Sequence, residues 1–236
     1  MKKEIHKANT RGHANYDWLD TFYTFSFANY YDPARVNFGT LRVLNDDWVD
    51  GGKGFGKHPH DNMEIITIAL EGELEHKDSM GDTFRIKKND VQMMSAGIGI
   101  FHSEFNHHPT EPVRLLQIWV FPDKRNLKPK YDQKTFDPKE RINKWQRIVS
   151  PTEPEAVKIN QDAYFSLISM DKGFSTEYKL HSENNGAYLF ILEGSVNVNE
   201  TILQRRDGIG IRETSDIGLM GLESSEVLLM EIPMTA

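Results

Sequence analysis

The sequence predicts an all-β protein built as two tandem β-barrels with a short helical connector. Three observations carry that expectation. Gly, Pro, Asn and Asp interrupt the chain roughly every 8 to 12 residues, as in sandwiches and barrels. The runs between them are short and rich in β-branched and aromatic side chains. A weak internal repeat then divides the chain in two.

In chain order, the strand candidates are 22–27, 38–44, 64–70, 115–121, 164–170, 187–192 and 227–232. One segment has helical spacing: Pro138 to Ile148, with Ile142, Trp145, Ile148 and Val149 at i, i+3, i+6 and i+7. Asp137 can cap it, and Pro138 suits a first helical turn. The surrounding stretch from Pro122 to Pro154 is rich in Pro, Lys, Asp and Gln and reads as a connector. The repeat matches Ile68-Ala-Leu-Glu-Gly-Glu-Leu74 to Phe190-Ile-Leu-Glu-Gly-Ser-Val196, 122 residues later. Asn89-Asp-Val91 is answered by Arg206-Asp-Gly208. These features predict an N-terminal barrel over residues 1–135 and a C-terminal barrel over 136–236.

Composition removes several function classes. Hydrophobic residues are 38% and charged residues 27%, ordinary for a globular chain. A net charge of −7 and the lack of any Lys/Arg run argue against direct nucleic-acid binding. With no cysteine, disulfides, thiolate metal sites and Cys nucleophiles are excluded. The N-terminus has no apolar stretch of the signal-peptide type, and no apolar run reaches the roughly 18 residues of a membrane span. A cytoplasmic location is therefore expected.

Chemistry concentrates in two clusters. The first is Gly52-Lys-Gly-Phe-Gly-Lys-His58-Pro-His60, followed by Glu64. Alternate side chains of a strand share a face, so His58 and His60 point the same way. The second is Ser95-Ala-Gly-Ile-Gly-Ile-Phe-His102-Ser-Glu104, where His102 and Glu104 share a face by the same rule. Brought together, these strands make a site of three imidazoles and one carboxylate, a donor set suited to a divalent Fe, Ni, Mn, Cu or Zn ion. Six-coordination would leave two positions open for a substrate and O₂. The ion and carboxylate together would leave a charge of about +1 for an anionic enolate or phenolate.

Glu64 is either a fifth ligand or, as we favour, a carboxylate orienting a histidine from behind. Glu104 either ligates the ion or shuttles a proton. Phe55, Met93 and Phe101 flank the ligands and are candidate walls for a flat apolar ligand. His107 and His108 read as a solvated loop, and His6, His13, His76 and His181 as structural or exposed. The aromatics from Tyr16 to Tyr31 read as strand and core residues. Shifted by the repeat offsets, His58 and His60 fall on Leu180 and Ser182, and His102 and Glu104 on Leu219 and Gly221, so the second half has no ligand set.

The clusters resemble the two motifs of the cupin superfamily: Gly52, His58, His60, Glu64 and Gly72, then Gly97, His102 and Asn106, with Ser95 where Pro is usual. The match is closer to the pirin family. Arg11-Gly12, Thr24-Phe-Ser-Phe27, Asn45-Asp-Asp47, Gly54-Phe-Gly-Lys-His-Pro-His60 and the segment 95–104 carry it, densely in the N-terminal half and loosely in the C-terminal half. The resemblance implies two jelly-roll (double-stranded β-helix) cupin barrels with metal only in the first. It implies His58, His60, His102 and Glu104 as ligands, with Fe²⁺ expected ahead of Ni, Mn, Cu or Zn. Some pirins act as quercetin 2,3-dioxygenases, and animal members are iron-dependent transcriptional co-regulators. The leading expectation is therefore a dioxygenase acting on a flavonol with O₂, Glu104 being both ligand and proton acceptor. The alternative is a metal-dependent redox-sensing or regulatory protein that binds a protein partner without turnover. An O₂-independent isomerase or decarboxylase is a third reading.

Overall fold

The computed structural model describes residues 1–81 and 83–235. The strand-forming runs pair into four sheets, two in each half, antiparallel except at one short pair. In the N-terminal half a seven-stranded sheet runs, in spatial order, Lys130–Thr135, Asp90–Ser95, Glu64–Glu71, Val113–Val120, Leu41–Val49, Leu19–Tyr23 and Gly12–Asn15. A four-stranded sheet covers it: Gly54–His60, Ile100–Phe105, Glu73–Asp78 and Thr83–Lys87. The C-terminal half repeats this plan. Its large sheet includes Tyr164–Met170, Asn185–Glu193, Gly208–Arg212 and Ser225–Pro233, and its small sheet includes Ser175–Lys179 and Asp216–Gly221. This is the expected pair of jelly-roll barrels. No helix among the described residues is long and apolar enough to cross a membrane.

The repeat corresponds to matched turns. Gly72 and Gly194 have φ of +75° and +81° and occupy the same turn in each barrel. A Cβ there would come within 2.9 Å of the Pro112 carbonyl oxygen and 2.3 Å of that of Ser224, so close backbone approach demands glycine at both. Asn89 and Arg206 also share positive φ. The carboxylate that follows each accepts a backbone N–H three residues back: Asp90 from Lys87 at 2.9 Å and Asp207 from Gln204 at 3.0 Å.

The two large sheets share one apolar cluster, in which Phe25, Leu41, Met93 and Ile118 meet Phe165, Tyr188 and Leu228. Burial on both faces explains strands such as Asp90–Ser95, where every residue is buried and no alternation survives.

Two expectations change. The helical connector is one 3-10 turn, Pro138–Arg141, capped by the Asp137 side chain accepting from the Lys139 N–H at 2.9 Å. Asn143 then takes φ +53°, its side chain bonded to Asp171, and this left-handed residue stops the helix. The helical spacing of Ile148 and Val149 comes instead from the strand Gln146–Ser150, where both residues are buried against the shared core. The chain's start also leaves its own barrel. Lys2–His6 pairs with Gly208–Arg212 at the edge of the C-terminal large sheet, and His6 Nδ1 bonds the buried Tyr188 hydroxyl at 2.8 Å.

Deleting residues 2–6 is therefore expected to loosen the C-terminal barrel first. Amide hydrogen exchange should speed up in 208–212 while 64–71 keeps its protection; equal loosening of both would contradict the crossover.

Candidate metal centre

The site is built by one strand pair. Gly54–His60 and Ile100–Phe105 run antiparallel, with His102 directly opposite His58 and Ile100 opposite His60. Between His102 and Glu104 the register shifts, so that Glu104 lies opposite Phe55. The extra residue on the glycine-rich strand reverses its parity, and Phe55 and His58 both line the same cavity. Gly54 permits this packing: a Cβ there would stand 2.1 Å from the Glu104 carbonyl oxygen. On its other side Ile100–Phe105 pairs with Glu73–Asp78, placing His76 opposite Glu104 and Asp78 opposite His102.

Three imidazoles converge as a result. His102 Nε2 lies 2.9 Å from His60 Nε2 and 2.9 Å from His58 Nε2. Two imidazole nitrogens held at about 2.1 Å from one ion, at right angles, stand about 3 Å apart. The spacing thus fits a shared metal ion. Burial, reinforced by the neighbouring His58, lowers His60 to about 4 and His102 to about 2, so these rings are neutral lone-pair donors near neutral pH. Glu104 is buried in the same cavity, and burial pushes its carboxyl up to about 7. Its oxygens accept from Gln117 Nε2 at 3.2 and 3.5 Å. Glu104 groups with His76 and His102 within 4.8 Å, while the tight trio is His58, His60 and His102.

His76 completes the cluster. It is fully buried, and its Nδ1 lies 3.4 Å from His102 Nδ1. If Nε2 of His102 offers a lone pair to an ion, its Nδ1 carries the proton, and His76 Nδ1 is placed to accept it. His76 Nε2 in turn lies 3.7 Å from Asp78 Oδ2.

Around these donors lies a cavity of about 420 Å³ between the two N-terminal sheets, walled by Trp18, Tyr23, Phe27, Phe55 and Trp119. Pirin family models describe such a chain: the model described as Pirin matches residues 4–120, and the one described as Quercetinase C-terminal cupin domain matches 147–232. A protein named quercetin 2,3-dioxygenase from Escherichia coli K12 is 40% identical over 97% of this chain and 98% of its own length. The chain belongs to the pirin family. A pirin-like protein from Caulobacter vibrioides is 39% identical over 93% of this pirin and 95% of its own length. The crystal structure of YhhW from Escherichia coli superposes with a TM-score of 0.94 at 39% identity, covering 98% of each chain. The nickel(II) complex of YhhW gives 0.93 at 38% identity, covering 98% of this chain and 99% of that one.

The remaining residues singled out in the sequence separate cleanly. Phe55 is a cavity wall of this pirin. Phe101 is 47% exposed and sits on an outer groove beside His58 and His60, outside the main cavity. Met93 lies in the core shared by the two large sheets and does not reach the cavity. Glu64 neither ligates nor orients a histidine. Its buried carboxylate accepts from Ser95 Oγ at 2.5 Å and from the Asn160 backbone N–H at 2.9 Å, joining the two halves. Asn62, with φ +47°, breaks the strand between His60 and Glu64, so the parity argument does not carry across.

His76, Trp18, Tyr23, Phe27, Gln117 and Trp119 belong to the site and were not assigned to it from the sequence. His76 had one readable signal: it shares strand parity with the buried Leu74. In the C-terminal barrel Leu219 and Ile217 fill the interior. His181 there has both ring nitrogens engaged, Nδ1 with Glu231 at 2.7 Å and Nε2 with Arg147 at 3.2 Å.

Replacing His76 with Phe should weaken metal affinity about 10- to 100-fold, measured by chelator competition; unchanged affinity would remove its role in setting His102. Because burial pushes Glu104 up to about 7 while His60 and His102 are already neutral above about 4, metal uptake at pH 6 should displace a proton from Glu104. Calorimetry in two buffers of different ionisation enthalpy measures this. Glu104→Gln should lower the release by about one proton, and a release unchanged by that substitution would exclude Glu104 as a ligand.

Proposed function

We propose that this pirin is a metal-dependent dioxygenase of the quercetinase type, cleaving a flavonol with O₂ to a depside and CO. The observation that carries the proposal is the set of three convergent imidazoles opening into an aromatic-walled cavity. The same name on a relative 40% identical across nearly the whole chain supports it.

His58, His60 and His102 would hold the ion, with Glu104 as the fourth donor. Fe²⁺ is the metal we expect, and the nickel complex of YhhW shows that the related protein accepts another divalent ion. The bound ion would act as a Lewis acid, lowering the pKa of a coordinated hydroxyl and supporting redox chemistry with O₂. The chain's own residues do the rest. Trp18, Phe55 and Trp119 offer flat apolar surfaces to the substrate rings and exclude water. Gln117 orients Glu104 through its amide. Burial pushes the Glu104 carboxyl up to about 7 in the metal-free protein, and once an ion had displaced its proton the carboxylate would be placed to accept one from a substrate hydroxyl.

A second reading, a regulatory protein whose metal state controls binding of a protein partner, draws on one observation. Ile98 and Phe101 are 69% and 47% exposed on the outer groove beside His58 and His60.

Anaerobic reconstitution with Fe, Mn, Ni, Cu or Zn, followed by quercetin and O₂, separates the two. Loss of flavonol absorbance with release of CO is expected for at least one metal. No turnover with any metal would sink the dioxygenase reading.

A further inference from the structure

Both histidine-bearing strands pass between the two N-terminal sheets at one corner. Gly54–His60 lies in the small sheet and continues into Glu64–Glu71 of the large one. Asp90–Ser95 lies in the large sheet and continues into Ile100–Phe105 of the small one. Glu64 and Ser95 stand directly opposite each other where the two crossings meet. Backbone bonds close the corner: the Asn62 N–H donates to the Gly97 carbonyl and the Ala96 N–H to the Met63 carbonyl, each at 2.8 Å. Whatever fixes this corner therefore fixes the end of one ligand strand and the start of the other.

The C-terminal half reaches into the corner. Asn160, just beyond the strand Val157–Lys158, donates twice to Glu64 Oε2: from its backbone N–H at 2.9 Å and from its Nδ2 at 3.2 Å. The same Nδ2 donates to Ser95 Oγ at 3.1 Å, and that hydroxyl donates to Glu64 Oε1 at 2.5 Å. Glu64 is fully buried, so these donors replace water around its carboxylate. Burial raises the Glu64 carboxyl, the bonds from Ser95 and Asn160 oppose the rise, and the charge of Asp123 adds to it. Asn160 is itself anchored. Its carbonyl accepts from the Asp123 N–H at 2.8 Å, and the next residue, Gln161, donates through Nε2 to the Phe121 carbonyl at 2.8 Å.

We propose that Asn160 is a positioning residue for the metal centre, supplied by the barrel that holds no ligand set. Its side chain bonds Glu64 and Ser95 and no histidine. By clamping those two residues it holds the corner, and the corner sets how His58 and His60 approach His102. This rests on the metal-centre reading and gives the second barrel a part in it. Removing the Asn160 amide leaves a buried carboxylate and a buried hydroxyl each short of a donor, which favours a relaxed corner. A metal ion tolerates little relaxation, because its donors must lie within about 0.2 Å of their proper distances.

The test is Zn²⁺ affinity of the full chain, measured by chelator competition at a temperature where circular dichroism shows each variant fully folded. A clamp that only joined the barrels would lower the melting temperature and leave the affinity of the folded protein unchanged. Asn160→Ala and Ser95→Ala should each weaken Zn²⁺ binding about 3- to 30-fold. The double variant should lose less than the product of the two, because both act on one carboxylate. Asn160→Asp adds a pH signature. When protonated, the new carboxyl can still donate to Glu64; when ionised, it repels it. Its affinity relative to wild type should therefore fall as pH rises from 5.5 to 8, whereas simple attraction of the new charge for the ion would make it rise. If Asn160→Ala does not fold, the pH profile of the isosteric Asn160→Asp decides. Unchanged affinity in the folded alanine variants, or a relative affinity of Asn160→Asp that does not fall with pH, overturns the role of Asn160 and leaves the metal centre standing. Failure of wild type to bind Zn²⁺ overturns both.

Discussion

The centre depends on the register between Gly54–His60 and Ile100–Phe105. With His102 opposite His58, three imidazoles share one face and meet at 2.9 Å. A slip of one residue would turn His102 out of the barrel and leave a pair of histidines with no third donor. Glycine at 54 holds the strands at contact distance, and the bulge beyond His102 turns Phe55 inward as a cavity wall. Pairing with Glu73–Asp78 fixes the far side, where His76 meets His102. Ligand geometry, cavity wall and support for His102 all follow from these three strands.

Burial sets the electrostatics, with opposite effects on the two kinds of candidate ligand. It strips protons from His60 and His102, making them ready donors, and it drives a proton onto Glu104. A divalent ion would resolve this conflict, because it would take the free lone pairs of the histidines and displace the proton on Glu104. The second barrel shows what the same frame becomes without that demand. Leucine and isoleucine fill its interior, and its remaining histidine is tied to Glu231 and Arg147.

Much of this was legible in the sequence, for reasons that also mark where legibility stopped. The period of two puts His58 with His60, and His102 with Glu104, without any tertiary knowledge. The matched glycine turns at 72 and 194 made the two-barrel plan readable, because close backbone approach leaves no other residue. Parity failed wherever the strand was not continuous. Asn62 breaks it before Glu64, and Asn143 ends the turn that a helical count extends to Ile148. Met93 was misplaced because its strand is buried on both faces and shows no alternation. The aromatic walls from Trp18 to Phe27 come from a segment whose role depends on which sheet covers it, and local pattern does not carry that information.

The central claim is that one metal ion sits in the N-terminal barrel, held by three imidazoles and one carboxylate. X-ray absorption at the metal edge, on protein loaded with one ion per chain, measures this directly. The multiple-scattering signature of three histidine rings, with additional oxygen donors in the same shell, is the expected result. A shell fitted by two or fewer imidazoles would contradict the account.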